Sequence, residues 1–223
     1  QRADAGQPVL DETTDESLLR RACDGVHRYG GKLFFQLSHS GIKGVESVNG
    51  APPKHPEDFT REELDRLVEQ FAFAVKKCKE SGADGVQVHN AHGYLLSNFL
   101  NPEENLRTDE YGGSLENRFR LIERILRAVR AACGADFPMI VKADSNGCGD
   151  LPALLQLYEC CGVDGAEVSG IDFNRRAGQK TPFYLDALIC EPDFAAKLKS
   201  GAQDGSKCLA CNGCYTIYRK RFV

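Results

Sequence analysis

The richest run of chemically capable side chains in this 223-residue sequence is VHNAHGYLLSNFLNP, residues 88–102. His89, His92 and Tyr94 follow one another at short spacing. Two imidazoles can donate hydrogen bonds to one substrate oxygen, and a phenol can deliver a proton. On spacing alone, H-x-x-H-x-Y admits three readings: a catalytic trio, a pair of structural histidines, or part of a metal site. A second group is Cys208-x-x-Cys211-x-x-Cys214 near the end of the chain. Three thiolates fall one short of a tetrahedral zinc or iron–sulfur ligand set. The tail is therefore read as plain thiols, with metal binding kept as the alternative.

The elements that must carry these residues alternate between helix and strand. Residues 15–29 read as a short helix and KLFFQL (32–37) as a strand. Residues 41–59, rich in Gly, Pro and Asn, read as a long loop. Thr60 and Glu63 form a capping box at the head of a helix whose Leu64, Leu67, Val68, Phe71, Val75 and Cys78 make one apolar stripe ending at Gly82. The next strand, Gly85–Val88, places His89 at its carboxyl end. A second long helix starts near Ser114 and stops at Gly134. It is followed by a strand at Pro138–Val141, a helix near 151–161 and a strand at Gly165–Val168. A further amphipathic helix is expected near 191–199.

SGADGVQVH (81–89) and CGVDGAEVS (161–169) match in residue type at nearly every position. Repeated helix–turn–strand units with short apolar strands imply a parallel sheet covered by helices. Repetition favours a barrel over a doubly wound sheet, and no G-x-G-x-x-G follows a strand. The fold class is α/β, of the (β/α)₈ barrel type, incomplete, with about four recognisable parallel strands. Residues 1–200 are expected to form the partial barrel and 201–223 a cysteine-containing tail.

Composition narrows the function. Apolar residues make up 42% and charged residues 27%, with a net charge of −4. That balance argues against nucleic acid or an anionic membrane as partner. No apolar run approaches the roughly 18 residues that span a bilayer. The first residues lack a signal-peptide layout, and the missing initiating Met suggests processing or a fragment. A chain this long does not need disulfide staples, so its ten cysteines are read as reduced thiols in a cytoplasm. Cys23, Cys78, Cys133, Cys160 and Cys161 are read as small buried apolar residues.

HNAHGYLLSNFLNPEENLRTDEYGGSLENRFR resembles the signature of the old yellow enzyme family, in which H-x-A-H-G-Y-L-L leads into N-x-R-x-D-x-Y-G-G-S-x-E-N-R. KLFFQLSHSG resembles the family's preceding segment and ICEPDFAAKLKSG its carboxyl-terminal one, so the resemblance runs from about residue 15 to 215. The resemblance implies FMN as cofactor and NAD(P)H as co-substrate. It implies hydride transfer through the flavin to an activated alkene or similar small electrophile. By residue, Gln36 matches the glutamine on the flavin pyrimidine edge, and Lys142 the cation near flavin N1 and O2. His89 and His92 match the pair that holds a substrate carbonyl or nitro oxygen, and Tyr94 the proton donor. The tail resembles the iron–sulfur ligands of larger relatives, but with a different spacing and no fourth cysteine after Cys214. Family habit implies a homo-oligomer.

His39 is a near-site candidate, and His27 and His55 read as surface residues. Arg107, Asp109, Tyr111 and Ser114 read as loop fixing and helix capping. The chain departs from the family at its start, where two strands are unmatched. It departs again near Asp186/Ala187, where two strands that hold the FMN phosphate are expected. These gaps keep a non-catalytic half-barrel, without flavin, as the alternative function.

Overall fold

A computed structural model describes residues 1–144 and 150–169. The expected 191–199 helix, the gap at Asp186/Ala187, the 200/201 domain boundary and Cys208, Cys211 and Cys214 lie outside the described residues.

The first helix is α1 (Glu16–His27), with Asp15 accepting the Ser17 amide at its head. The first strand is β1 (Phe34–Leu37). The region read as a long loop holds short elements: a 3₁₀ turn at Gly41–Lys43, α2 (Glu46–Asn49), and a second 3₁₀ turn at Pro56–Asp58. Their lengths are below what apolar periodicity can reveal. The long helix α3 (Arg61–Glu80) begins with the Thr60/Glu63 capping box in place. Next come β2 (Gly85–Asn90), α4 (Leu95–Leu100) and α5 (Leu115–Cys133). They are followed by β3 (Met139–Asp144), α6 (Leu151–Cys160) and β4 (Gly165–Ser169). β2 and β3 run further than the sequence suggested. α4 was not anticipated, although Leu95, Leu96, Phe99 and Leu100 repeat at helical spacing.

The strands lie side by side in chain order, β1-β2-β3-β4. β1–β2 and β2–β3 are parallel. An order that never reverses is what a closing barrel requires, whereas a doubly wound sheet has a switch point. The repeated Asp of the two matching segments explains part of the register. Asp84 donates its amide to Leu33 C=O, and its carboxylate accepts the Leu33 amide at 2.8 Å. Asp164 does the same for Met139, donating to its C=O and accepting its N–H at 2.7 Å. Each Asp thus fastens the foot of one strand to the foot of the strand before it.

The two faces of the sheet differ. Val86, Val88, Met139, Val141 and Ala143 are fully buried against the helices. There they join Leu64, Leu67, Phe71, Val75 and Cys78 of α3 and Phe119, Ile122, Ile125, Leu126 and Val129 of α5. Burying that much apolar surface supplies most of the driving force for the layer, at roughly 25 cal/mol per Å². The other face carries Gln36, Gln87, His89, Lys142 and Glu167. Register pairs Gln36 with Gln87 and His89 with Lys142, so these side chains project together.

Cys23, Cys78, Cys133 and Cys161 are buried as expected, and burial pushes the Cys78 thiol up to about 12. Cys160 is a correction: it is exposed. Leu154, Tyr158 and Cys161 take the inward positions near α6, which turns the adjacent Cys160 outward. None of the described helices is long and apolar enough to cross a membrane.

Candidate active site

Three backbone features deliver His89, His92 and Tyr94 to one place. β2 carries His89 at its carboxyl end, on the polar face of the sheet. The loop then turns sharply: His92 has φ 65° and Gly93 φ 68°. Gly93 N–H is taken by Ser97 Oγ at 2.8 Å, and Tyr94 stands at the head of α4. α4 is buried along its whole length, so the loop is anchored from below. Its C-terminal carbonyl, Leu100 C=O, accepts from Arg118 Nε at 2.7 Å. The segment after β1 fixes the other side, since Leu95 N–H donates to His39 C=O at 3.0 Å. That approach needs a glycine: a Cβ on Gly41, whose φ is 57°, would lie 2.8 Å from the Leu95 backbone.

The result is a cluster of three rings. The His89 and His92 rings lie 5.0 Å apart, edge to face, and His89 and Tyr94 lie 4.9 Å apart, again edge to face. His89 is 4% exposed, and neither of its ring nitrogens has a hydrogen-bond partner among the described residues. Leaving a buried polar group unpaired costs on the order of 1–3 kcal/mol. Burial holds His89 down to about 4, with His92 and Lys142 adding to the effect. Burial likewise holds His92 down to about 4, helped by Lys142 and Lys43. Both imidazoles are therefore neutral near pH 7, each with one N–H to donate and one nitrogen to accept.

Beside the rings runs a row of polar side chains. Gln36 Nε2 donates to Gln87 Oε1 at 2.6 Å, and Gln87 Nε2 donates to Glu167 Oε2 at 2.7 Å. The other Glu167 oxygen accepts from Lys142 Nζ. The Lys142 pair holds the Glu167 carboxyl below its usual range. Gln36 and Lys142 thus share a face, linked through two residues the sequence reading passed over, Gln87 and Glu167. The signal for both was present, because they occupy equivalent places in the two matching segments.

Two further residues were missed. Lys43 donates to His92 C=O, and its ammonium sits 5.6 Å from the centre of the Tyr94 ring. Asp144 Oδ2 accepts the His92 amide at 2.7 Å. Burial raises the Asp144 carboxyl to about 6, against the pull of the His92 N–H and Lys43.

The remaining candidates are engaged in other contacts. His39 stacks edge-on to Phe59, and its Nδ1 accepts Gly41 N–H. Burial pushes it down to about 3. His27 and His55 are exposed, and His27 contacts Asp84. Arg107 donates to Pro56 C=O at 2.7 Å and Phe59 C=O at 2.8 Å, and pairs with Asp109. Ser114 caps α5. No group of three or more metal-ligating side chains gathers among the described residues.

A flavin ring system would fit the polar face chemically. Its pyrimidine edge needs both donors and acceptors, which Gln36 supplies, and a cation, which Lys142 supplies. The unpartnered nitrogens of His89 sit beside that face at the carboxyl end of the strands.

Comparison with known proteins places the chain by family and by fold. The chain is 37% identical over 132 residues to an NADPH dehydrogenase of Clostridium acetobutylicum, covering 54% of this chain and 39% of that protein. It is 35% identical over 197 residues to an NADPH dehydrogenase of Listeria innocua, covering 82% of this chain and 57% of that one. The chain therefore spans about half the length of these curated relatives. The old yellow enzyme homologue of Zymomonas mobilis superposes with a TM-score of 0.68 at 24% identity, over 89% of this chain and 68% of that one. This likeness establishes the fold as part of a (β/α)₈ barrel. The NADH:flavin oxidoreductase / NADH oxidase family model matches residues 4–145, more than half the sequence. On that match, and with the ring cluster and polar face in place, the chain belongs to the NADH:flavin oxidoreductase / NADH oxidase family.

Proposed function

We propose that this chain carries the substrate-oxygen and proton-donor half of an FMN-dependent NAD(P)H oxidoreductase acting on activated alkenes or similar small electrophiles. The observation that carries the reading is His89, buried with both ring nitrogens unpartnered among the described residues and flanked by His92 and Tyr94. A fold keeps such a costly group where a ligand completes it.

In this reading Gln36 and Lys142 hold the pyrimidine edge of FMN, which, when bound, supplies to the substrate β-carbon a hydride taken from NAD(P)H. His89 and His92, neutral near pH 7, donate ring N–H groups to the substrate carbonyl or nitro oxygen. Negative charge gathers on that oxygen as the hydride arrives, so donors fixed in advance lower the barrier. Tyr94 gives its phenolic proton to the α-carbon, which completes the reduction. Charge on either imidazole is disfavoured by burial, so the pair acts by hydrogen bonding. The reading includes a reducing cytoplasm, supported by the free thiols of Cys23, Cys78, Cys133, Cys160 and Cys161.

The test is to measure the two half-reactions separately in Tyr94→Phe. Flavin reduction by NAD(P)H should persist, while reduction of an enone by the reduced protein should slow by roughly 10²–10⁴-fold, the usual worth of a positioned proton donor. Equal slowing of both halves would remove Tyr94 from the proton-donor role.

A further inference from the structure

His92 is the one non-glycine residue with a positive φ among the described residues, at 65°. That conformation is strained for an L-residue, because it brings Cβ close to the following carbonyl oxygen. It persists only where the surroundings over-determine it. Here the two peptide groups of His92 are each met by a charged side chain of matching sign. Its N–H donates to Asp144 Oδ2 at 2.7 Å, and its C=O accepts from Lys43 Nζ.

The two partners come from opposite sides of β2. Asp144 ends β3, and Lys43 closes the 3₁₀ turn that follows β1. Hydrogen bonds to charged groups are roughly twice as strong as neutral ones. A carboxylate on the amide and an ammonium on the carbonyl are therefore enough to offset the strain.

We propose that Asp144 and Lys43 are positioning residues that clamp His92 in its left-handed turn and so aim its imidazole at His89 and Tyr94. The proposal rests on the reading of those three rings as the substrate-oxygen and proton-donor site. Without the clamp the loop relaxes to a right-handed or extended conformation, and the Cα–Cβ bond of His92 swings away from the cluster. The same Lys43 ammonium lies 5.6 Å from the Tyr94 ring centre, so the clamp also fixes where the phenol stands relative to His92. Asp144 suits the task because its other oxygen, Oδ1, has no hydrogen-bond partner among the described residues, leaving the His92 amide as its hydrogen-bonded contact.

The experiment is ring-selective NMR of histidine- and tyrosine-labelled full chain, with no flavin added. In the parent at pH 7.5, where Asp144 is ionised, cross-peaks join the His92 ring to the His89 ring. Asp144→Leu removes the acceptor. It should abolish those cross-peaks, while far-ultraviolet circular dichroism stays unchanged. Asp144→Asn, which keeps an oxygen facing the amide, should restore them. Lys43→Met, a change at an exposed side chain, should weaken the same cross-peaks and decides the matter where the leucine variant does not fold. Cross-peaks that match the parent in Asp144→Leu, or in Lys43→Met, overturn the clamp. Because these readouts need no flavin, their failure is distinct from failure of the flavin reading, which would show as absent FMN binding.

Discussion

His89→Leu removes an unpartnered buried imidazole and replaces it with an apolar group of similar bulk. Two effects follow. At pH 7 the variant escapes the desolvation cost of an unpaired polar side chain, on the order of 1–3 kcal/mol, and loses little packing. Its unfolding free energy should therefore equal or exceed that of the parent by about 1–2 kcal/mol. The second effect is in the pH dependence. His89 titrates at about 4 when folded and near 6.5 when unfolded. Between those values the unfolded chain binds the extra proton, so parent stability rises with pH and is lost as pH falls from 6.5 toward 4. At about 1.4 kcal/mol per pH unit, the His89 contribution is roughly 3 kcal/mol across that window. Asp144 works in the opposite sense. Its carboxyl is raised to about 6, so the folded state holds the proton longer and stability falls as pH rises from 3.8 to 6. His92, also held down to about 4, adds to the acid-side loss, so the parent curve is a sum and the difference between variant and parent is what reads His89. The assay is urea unfolding followed by far-ultraviolet circular dichroism from pH 4.5 to 7.5, since the chain has no tryptophan. A variant that keeps the full acid-side slope of the parent, or loses more than about 2 kcal/mol at pH 7, would refute the claim that an unpartnered neutral imidazole sits there.

Glu167→Gln frees Lys142 from its carboxylate partner. The pair is half exposed on the Glu side, so stability should change by no more than about 1 kcal/mol. FMN retention, read by fluorescence titration, should tighten; weaker retention would show that Glu167 itself contacts the flavin. Gly41→Ala forces a Cβ onto the Leu95 backbone at a φ of 57°. It should cost roughly 2–4 kcal/mol from backbone strain and overpacking together, measured by urea unfolding, and a cost below about 0.5 kcal/mol would contradict the close approach.

Much of this site was legible because it is built from a strand end and its following loop. Apolar periodicity gave β2, α3 and α5, and the run from His89 to Tyr94 is short enough that one turn brings the rings together. Lys43 and Asp144 were not legible. Lys43 lies in a stretch whose Gly, Pro and Asn content reads as loop, and nothing local says that its ammonium reaches His92. Asp144 lies beyond the predicted end of β3, and its role appears only when β2 and β3 are set in register. Gln87 and Glu167 were half legible: strand alternation places them on the face of Gln36 and Lys142, but the bonds between them depend on neighbouring strands. Cys160 was misread because it closes α6 on the outward side, and the next residue, Cys161, takes the inward place.

The visible spectrum of the purified chain, after FMN is added and the unbound fraction removed, tests the central claim most directly. Flavin absorption that stays with the protein, and is lost in Lys142→Met, is the predicted result. A colourless protein would contradict it, leaving the chain a half-barrel that keeps the ring cluster of its family without the cofactor that the cluster serves.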